Sequence, residues 1–340
     1  MSIIGSYEQR LNNFDWSIAA KELEYKDGDV INIGWYCSDR ICRKGSADKI
    51  AVSFERTAPV ENLDIFPTKA ESPSVLHYTS GTTGQPKGVK HVHYSLISQY
   101  LTAKWVLDLQ ENDSYWCTAD PGWVTGTSYG IIGPWSLGIT QCVLDSGFSA
   151  QTWYQFIEKY RVTVWYSAPT AIRSLMKAGT DIIRNFDLSS LRHLASVGEP
   201  LNSEAVVWSE KNFGKSFHDT FWQTETGCII ITNYPGMKVK PGSMGKPFPG
   251  ITGVVLDAKT YEPIIEPGRI GLIAFKPGWP SMMRTYWNNE ENYREKFVIG
   301  CHAPGNRICG SAAKDKERQD NEETAACQRM GRRDRRYFHA

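Results

Sequence analysis

Residues 78–88 read Tyr78-Thr79-Ser80-Gly81-Thr82-Thr83-Gly84-Gln85-Pro86-Lys87-Gly88, and no other segment constrains the architecture of this chain as strongly. The three glycines remove side-chain bulk, so the backbone bends freely and brings its N–H groups close to a ligand. Hydroxyls at Thr79, Ser80, Thr82 and Thr83 and a cation at Lys87 sit among them. Many donors and one positive charge on a pliable loop suit a polyphosphate. It is not a Walker A loop, because no Gly-Lys-Ser/Thr closes it at the required spacing. A flexible Ser/Thr/Gly linker has a similar composition. The placed Pro86 and Lys87, with apolar Val75 and Leu76 ahead and Val89 behind, argue instead for a built loop between ordered segments.

Working outward, four more motifs follow in order. They are Trp116-Cys117-Thr118-Ala119-Asp120-Pro121-Gly122-Trp123-Val124-Thr125-Gly126, Trp165-Tyr166-Ser167-Ala168-Pro169-Thr170, Ser196-Val197-Gly198-Glu199-Pro200 and Asp219-Thr220-Phe221-Trp222-Gln223-Thr224-Glu225-Thr226-Gly227. The loop at 78–88 resembles the phosphate-binding signature of the adenylate-forming enzymes, the group of acyl-CoA synthetases, adenylation domains and luciferases. The later motifs occur in that group's order across residues 71–300. They narrow the resemblance to acetyl-CoA synthetases and close short-chain relatives.

Composition sets bounds independent of that resemblance. The 340 residues hold one large or two modest domains. With 41% hydrophobic and 22% charged residues and a net charge of +1, the chain has no electrostatic drive toward nucleic acid or an anionic membrane surface. No apolar run approaches the ~20 residues that cross a bilayer. The start, Met1-Ser2-Ile3-Ile4-Gly5-Ser6-Tyr7-Glu8, lacks the basic region and apolar core of a secretory signal. Eight cysteines without framework spacing fit reduced thiols and a cytoplasmic protein. Twelve tryptophans read mostly as core; Trp123 and Trp222 stand apart because their motifs should border a ligand.

Between residues 139 and 220 the pattern alternates strand and helix. Ile139 to Leu144 reads as a strand. Ser149 reads as the N-cap of a helix whose apolar Trp153, Phe156, Ile157 and Tyr160 follow i, i+3, i+4, i+7 spacing. Val162 to Tyr166 is β-rich, and a helix runs from Thr170 to Lys177. Leu191 to Val197 is a strand, Asn202 caps a helix that ends at Gly214, and Phe217 to Thr220 is extended. Such alternation implies a parallel sheet with helices on its faces. Gly198-Glu199-Pro200 and the segment from Asp219 to Glu225 each follow a strand directly, and ligands of open α/β sheets bind beyond the strands' carboxyl ends. Two such motifs at two such ends point to one shared pocket.

After Lys240 a turn-rich connector leads to short strands at Gly253 to Asp257 and Ile270 to Phe275, expected to form a small β subdomain. The last forty residues hold one Ile, no Leu, no Val and fifteen charged residues, a composition expected to be disordered. Cys301, His302 and Cys309 match no zinc spacing. The alternation predicts an α/β fold with a parallel-rich sheet, flanking helices and a small β subdomain, and the resemblance implies that it is part of an adenylate-forming large N-terminal domain. Its divisions are an N-terminal remnant with an irregular junction (1–70), an AMP-binding core (71–300, the β subdomain from about 240) and an aberrant tail (301–340).

The resemblance implies a two-step reaction, in which a short carboxylic acid, acetate foremost, attacks the α-phosphate of ATP and coenzyme A then takes the acyl group. It implies phosphate contacts from Thr79, Ser80, Gly81, Thr82, Thr83, Gly84 and Lys87, with Lys87, Thr224 and Glu225 catalytic and Thr224 on the α-phosphate. Gly198, Glu199 and Pro200 would lie along the adenine, with Asp219, Thr220, Phe221, Trp222 and Gln223 completing the nucleotide wall; the alternative for Asp219 is a cap or turn residue. Glu225 reads as the ligand of Mg²⁺, which favours carboxylate plus phosphate oxygens, or as a salt-bridge partner. Trp222, with Val124, Thr125 and Val197, would close an acid pocket too short for long acyl chains, unless Trp222 is a core residue. Thr125 also reads as a coenzyme A contact. Propionate and a non-catalytic nucleotide-binding remnant are the alternatives.

His91 and His93 resemble the group's H-x-H, expected to form structural hydrogen bonds and not a metal pair. The group's Thr-Gly-Asp motif, hinge arginine and C-terminal lid with its lysine have no match beyond Gly300. The N-terminal segment, including Phe14-Asp15-Trp16 and Cys37-Ser38-Asp39-Arg40, resembles the start of these enzymes, set unusually close to the glycine-rich loop. Impaired turnover is the corresponding expectation.

Overall fold

The computed structural model describes residues 2–49, 51, 65–79, 86–294, 296–300, 308–310 and 335–339. Its centre is a seven-stranded sheet in the order β4-β3-β5-β6-β7-β8-β9, built from Thr140–Cys142 (β4), Ser114–Cys117 (β3), Val164–Ser167 (β5), His193–Ser196 (β6), Phe217–Phe221 (β7), Ile231–Thr232 (β8) and Lys246–Pro247 (β9). The first five strands pair in parallel, and β8 and β9 continue antiparallel. Every residue of β5 and β6 is buried, as befits strands covered on both faces.

Alternation along the strands sends side chains into two separate cores. Tyr115, Cys117, Val164, Tyr166 and Ala195 face one core, shared with the helix Ser95–Val106. Trp116, Trp165, Leu194 and Phe217 face the other, covered by the helices Ala150–Tyr160, Pro169–Lys177 and Ser203–Phe213. The predicted helix starts and stops have physical counterparts. The Ser149 hydroxyl accepts from the Thr152 N–H at 3.4 Å, and Gly214 ends its helix at φ +67°. Asn202 precedes its helix without a side-chain cap bond, and the strand expected from Ile139 to Leu144 shortens to Thr140–Cys142.

The helical segment 2–49 is part of the first core. Ile4, Ala19, Leu23, Ile31 and Tyr36 are buried there, Trp16 stacks on Phe248 at 5.6 Å, and the Tyr7 hydroxyl donates to the Pro247 carbonyl at 2.8 Å. The junction at 52–64 lies outside the described residues.

Pro73–Thr79 (β1) and Lys87–Val92 (β2) form an antiparallel hairpin closed by the pair Thr79 and Lys87. The connecting residues 80–85, with the expected phosphate contacts Ser80, Gly81, Thr82, Thr83 and Gly84, lie outside the described residues. Thr285–Tyr286 (β12) pairs with the other side of β2 and so fixes Tyr286 at the base of the loop. Gly253–Leu256 (β10) and Leu272–Phe275 (β11) are the expected short strands, in an antiparallel sheet with Phe297–Gly300 (β13), Ile308–Gly310 (β14) and Arg335–His339 (β15). Of residues 301–340, only 308–310 and 335–339 are described, as strands of this sheet. Among the described residues, no helix is long and apolar enough to cross a membrane.

Candidate active site

A cavity of about 760 Å³ opens where β3, β5, β6 and β7 end at their carboxyl edge. Each strand delivers its next residues to the wall: Thr118 to Asp120 after β3, Ser167 and Ala168 after β5, Val197 to Glu199 after β6, and Trp222 to Glu225 after β7. Thr79 at the end of β1 and Val124 and Thr125 complete it, with Trp123, 70% exposed, at the mouth.

The turn at 222–227 is held from beneath. Trp279 Nε1 and the Ser281 hydroxyl both donate to the Thr226 carbonyl, at 2.7 and 2.9 Å. Gly227 has φ +69°, and a Cβ there would lie 2.2 Å from the Ser281 carbonyl oxygen, so only glycine fits. His91 stands between the carbonyls of Thr224 (2.8 Å) and Ser281 (3.1 Å). Burial, with His77 alongside, pulls its imidazole down to about 4 against those two carbonyls. His93 accepts from the Ile33 N–H through Nδ1 at 3.1 Å. Both histidines therefore serve as structural hydrogen-bonders.

Glu225 is buried beside the cavity. Its Oε1 accepts from the Tyr286 hydroxyl at 2.7 Å and lies 3.8 Å from Lys296 Nζ. No hydrogen bond to Oε2 occurs among the described residues, nor does any cluster of three metal-ligating side chains. One carboxylate with a spare oxygen at a cavity edge fits Mg²⁺, which takes one or two carboxylates and completes its shell with phosphate and water. Lys87 does not line the cavity: Nζ donates to Asn292 Oδ1 at 3.4 Å and lies 5.5 Å from the centre of the Tyr286 ring.

Val124, Thr125, Val197 and Trp222 line the cavity together. The indole of Trp222 packs against the Tyr129 ring at 5.0 Å, nearly perpendicular, and Trp222 Nε1 donates to the Tyr166 hydroxyl at 3.3 Å. Burial pushes both phenols up, so both hydroxyls stay protonated.

Gly198 and Glu199 line the cavity, whereas Pro200 does not. Gly198 has φ +96° with open space where a Cβ would stand. The Glu199 carboxylate accepts from Thr170 Oγ1 and from Arg173 Nη2 at 2.6 Å, bonds that hold it below the usual carboxylate range. Of the segment expected to complete a nucleotide wall, Gln223 and Trp222 border the cavity, while Asp219, Thr220 and Phe221 do not. Asp219 accepts from the Ser196 hydroxyl at 3.0 Å and from the Leu201 N–H at 3.5 Å, so it ties down the turn that carries Gly198. Burial raises its carboxyl above the usual range. Thr220 donates to the Ser196 carbonyl at 2.7 Å, and Phe221 stacks on Phe275 at 6.3 Å.

Wall residues without an assigned role in the sequence reading include Thr118, Asp120, Tyr166 and Ser167. Their motifs were visible; which side chain faces the cavity depends on strand ends that the sequence does not locate to the residue.

The family described as AMP-binding enzyme matches residues 22–287. The acetyl-coenzyme A synthetase of Bacillus subtilis (strain 168) is 53% identical over 251 residues, which are 73% of this chain and 44% of that protein. That of Nitrosomonas europaea is 46% identical over 236 residues, 67% of this chain and 36% of that protein. Among solved structures, the acyl-CoA synthetase of Brucella canis matches with a TM-score of 0.62 at 30% identity, covering 74% of this chain and 47% of that one. The chain spans less than half the length of these relatives. A match that begins in the N-terminal helices and ends at the strand anchoring Tyr286 takes in the whole cavity: this chain belongs to the AMP-binding enzyme family.

Proposed function

We propose that the cavity binds the adenylate of a short carboxylic acid, acetate foremost, and that this chain supplies the ATP and acid sites of an AMP-forming acid–CoA ligase. The observation that carries the reading is the meeting of Val124, Thr125, Val197 and Trp222 with Gly198, Thr224 and Glu225 around one space of about 760 Å³. An apolar end closed by an indole next to hydroxyl and carboxylate groups suits a molecule with a small acyl group on a phosphate.

In the first step an acetate oxygen bonds to the α-phosphorus, the bond to the bridging oxygen breaks, and pyrophosphate leaves with the electron pair. In the second, the thiolate of coenzyme A attacks the acyl carbonyl and AMP departs. Both reactants of the first step are anions, so the protein must hold them together and neutralise charge; preorganised donors do most of this work. Thr224 would donate to the α-phosphate and Thr79, in the cavity wall, would face the β- and γ-phosphates, which Lys87 would reach only by leaving Asn292. Glu225 would hold Mg²⁺, which supplies charge neutralisation on the phosphate oxygens when bound. Thr125 would contact the acid and coenzyme A. The substrates are small molecules, and a cytoplasmic location accords with them.

Calorimetric titration with ethyl-AMP, an unreactive analogue of acetyl-AMP, tests the reading. Saturable one-to-one binding is expected, strengthened by Mg²⁺ when ATP replaces the analogue. A folded chain that binds neither ligand would contradict it.

A further inference from the structure

Trp222 is large enough to shorten the acid pocket, but volume alone does not make a selective wall. An indole can rotate about its side-chain bonds, and a ligand that is one methylene too long gains if the wall yields. What matters is whether this indole is free to move.

Two buried hydrogen-bond chains hold it, and each has a determined direction. Thr220 Oγ1 gives its hydrogen to the Ser196 carbonyl at 2.7 Å. The contact of 2.7 Å between Thr220 Oγ1 and the Tyr166 hydroxyl must therefore be a donation from the tyrosine. The Tyr166 oxygen is then left to accept from Trp222 Nε1 at 3.3 Å. The order runs Trp222 to Tyr166 to Thr220 to the backbone of β6. A second chain supports the ring packed on the indole. Thr102 Oγ1 donates to the Ser98 carbonyl at 2.6 Å, so the Tyr129 hydroxyl donates to Thr102 at 2.7 Å and accepts the Ile229 N–H at 2.7 Å. Both tyrosine rings are fully buried, and each hydroxyl has one donor and one acceptor partner. Rotating the indole away would strand its N–H and leave Tyr166 short of a donor, in surroundings where an unmet polar group is costly.

We propose that Tyr166 is a specificity-determining positioning residue: its hydroxyl locks Trp222 across the acid pocket and so sets the upper limit on acyl length. This inference rests on the proposed function, since it assumes that the acyl group of an adenylate meets Trp222. Tyr166 takes no part in bond making.

The test uses the whole chain and the ethyl, propyl and butyl esters of AMP, whose alkyl groups match two-, three- and four-carbon acids. The readout is the ratio of ethyl-AMP to butyl-AMP affinity by calorimetry in the wild type, Tyr166→Phe and Thr220→Val. Thr220→Val breaks the next link and keeps the measurement decisive if Tyr166→Phe does not fold. The wild type is expected to favour ethyl-AMP, and each variant to lower that preference by about fivefold, the net worth of one neutral hydrogen bond. Damage to the fold weakens both ligands alike and does not move the ratio. An unchanged ratio in a folded variant overturns the inference while leaving the proposed function standing. Failure of the wild type to bind any ester overturns the proposed function and the inference with it.

Discussion

Two concavities of similar size sit at opposite ends of the same parallel strands. The one at the carboxyl ends measures about 760 Å³ and the one at the amino ends about 700 Å³. They differ in what their charges do. At the amino end, Arg192 reaches across to two buried carboxylates: Nε meets Asp113 Oδ1 at 2.7 Å and Nη1 meets Asp108 Oδ2 at 2.8 Å. Asp113 also accepts from Thr163 Oγ1 at 2.7 Å, and His193, behind the Val106 carbonyl, is kept neutral chiefly by burial. Its remaining cations are Lys211 and Lys238, which are exposed, and the half-buried Lys215. At the carboxyl end His91 meets the Thr224 carbonyl and the Tyr286 hydroxyl donates to Glu225, while both residues line the cavity. Size does not distinguish a site here; fixed polar groups with unspent capacity do.

The largest effect should come from breaking the amino end. Arg192→Met leaves Asp108 and Asp113 buried with reduced compensation, which costs about 3–5 kcal/mol of stability. Urea denaturation should show that loss, while any ligand affinity measured on the folded fraction stays put. A loss below 1 kcal/mol would mean that the pair is more hydrated than its burial indicates.

The next effect lies under the carboxyl end. The folded pKa of His91, about 4, is below its unfolded value, about 6.5, so the unfolded state binds the extra proton between them. The His91 contribution to stability is therefore present above pH 6.5, falls as the pH drops from 6.5 toward 4, and levels off below that. The His91 share is roughly 3 kcal/mol by linkage. Denaturation curves at pH 7 and pH 4.5 check it, and His91→Gln should flatten the decline. An equally steep decline in His91→Gln would assign it to other groups.

Trp222→Gly removes a buried indole and so costs stability, but its diagnostic readout is selectivity among ligands bound by the folded fraction. Opening the wall should raise the affinity for butyl-AMP relative to ethyl-AMP, with ~1–3 kcal/mol for each methylene accommodated. An unaltered preference would place the acyl group elsewhere. The smallest effect is local: Gly198→Ala forces a Cβ onto a backbone at φ +96°, at about 1–2 kcal/mol, although the space beside it is open. A thermal melt should show a modest shift, and none at all would mean that the turn relaxes.

The two ends also differ in how legible they are in sequence. The alternation of Tyr115, Trp116 and Cys117, or of Val164, Trp165 and Tyr166, encodes a sheet buried on both faces, and the Ser149 cap and Gly214 stop come from local chemistry. The resemblance singled out Val124, Thr125, Val197 and Trp222 for an acid pocket, and the four line one cavity. Asp219 was harder: its motif points to the site, but its carboxylate is spent on Ser196 and Leu201, a choice made by partners 23 and 18 residues away. Tyr166 carried no signal of its role, because its partner Trp222 is 56 positions distant. The packing of residues 2–49 was missed for the same reason, as Trp16 finds Phe248 only in the folded chain. Nothing local marks Arg192 as the partner of two carboxylates.

A crystal structure of this chain with ethyl-AMP tests the central claim most directly. The ethyl group is expected against Trp222, Val124 and Val197, with the phosphate beside Thr224. Ligand in the cavity at the amino ends of the strands, or spread over the surface with Trp222 untouched, would contradict it.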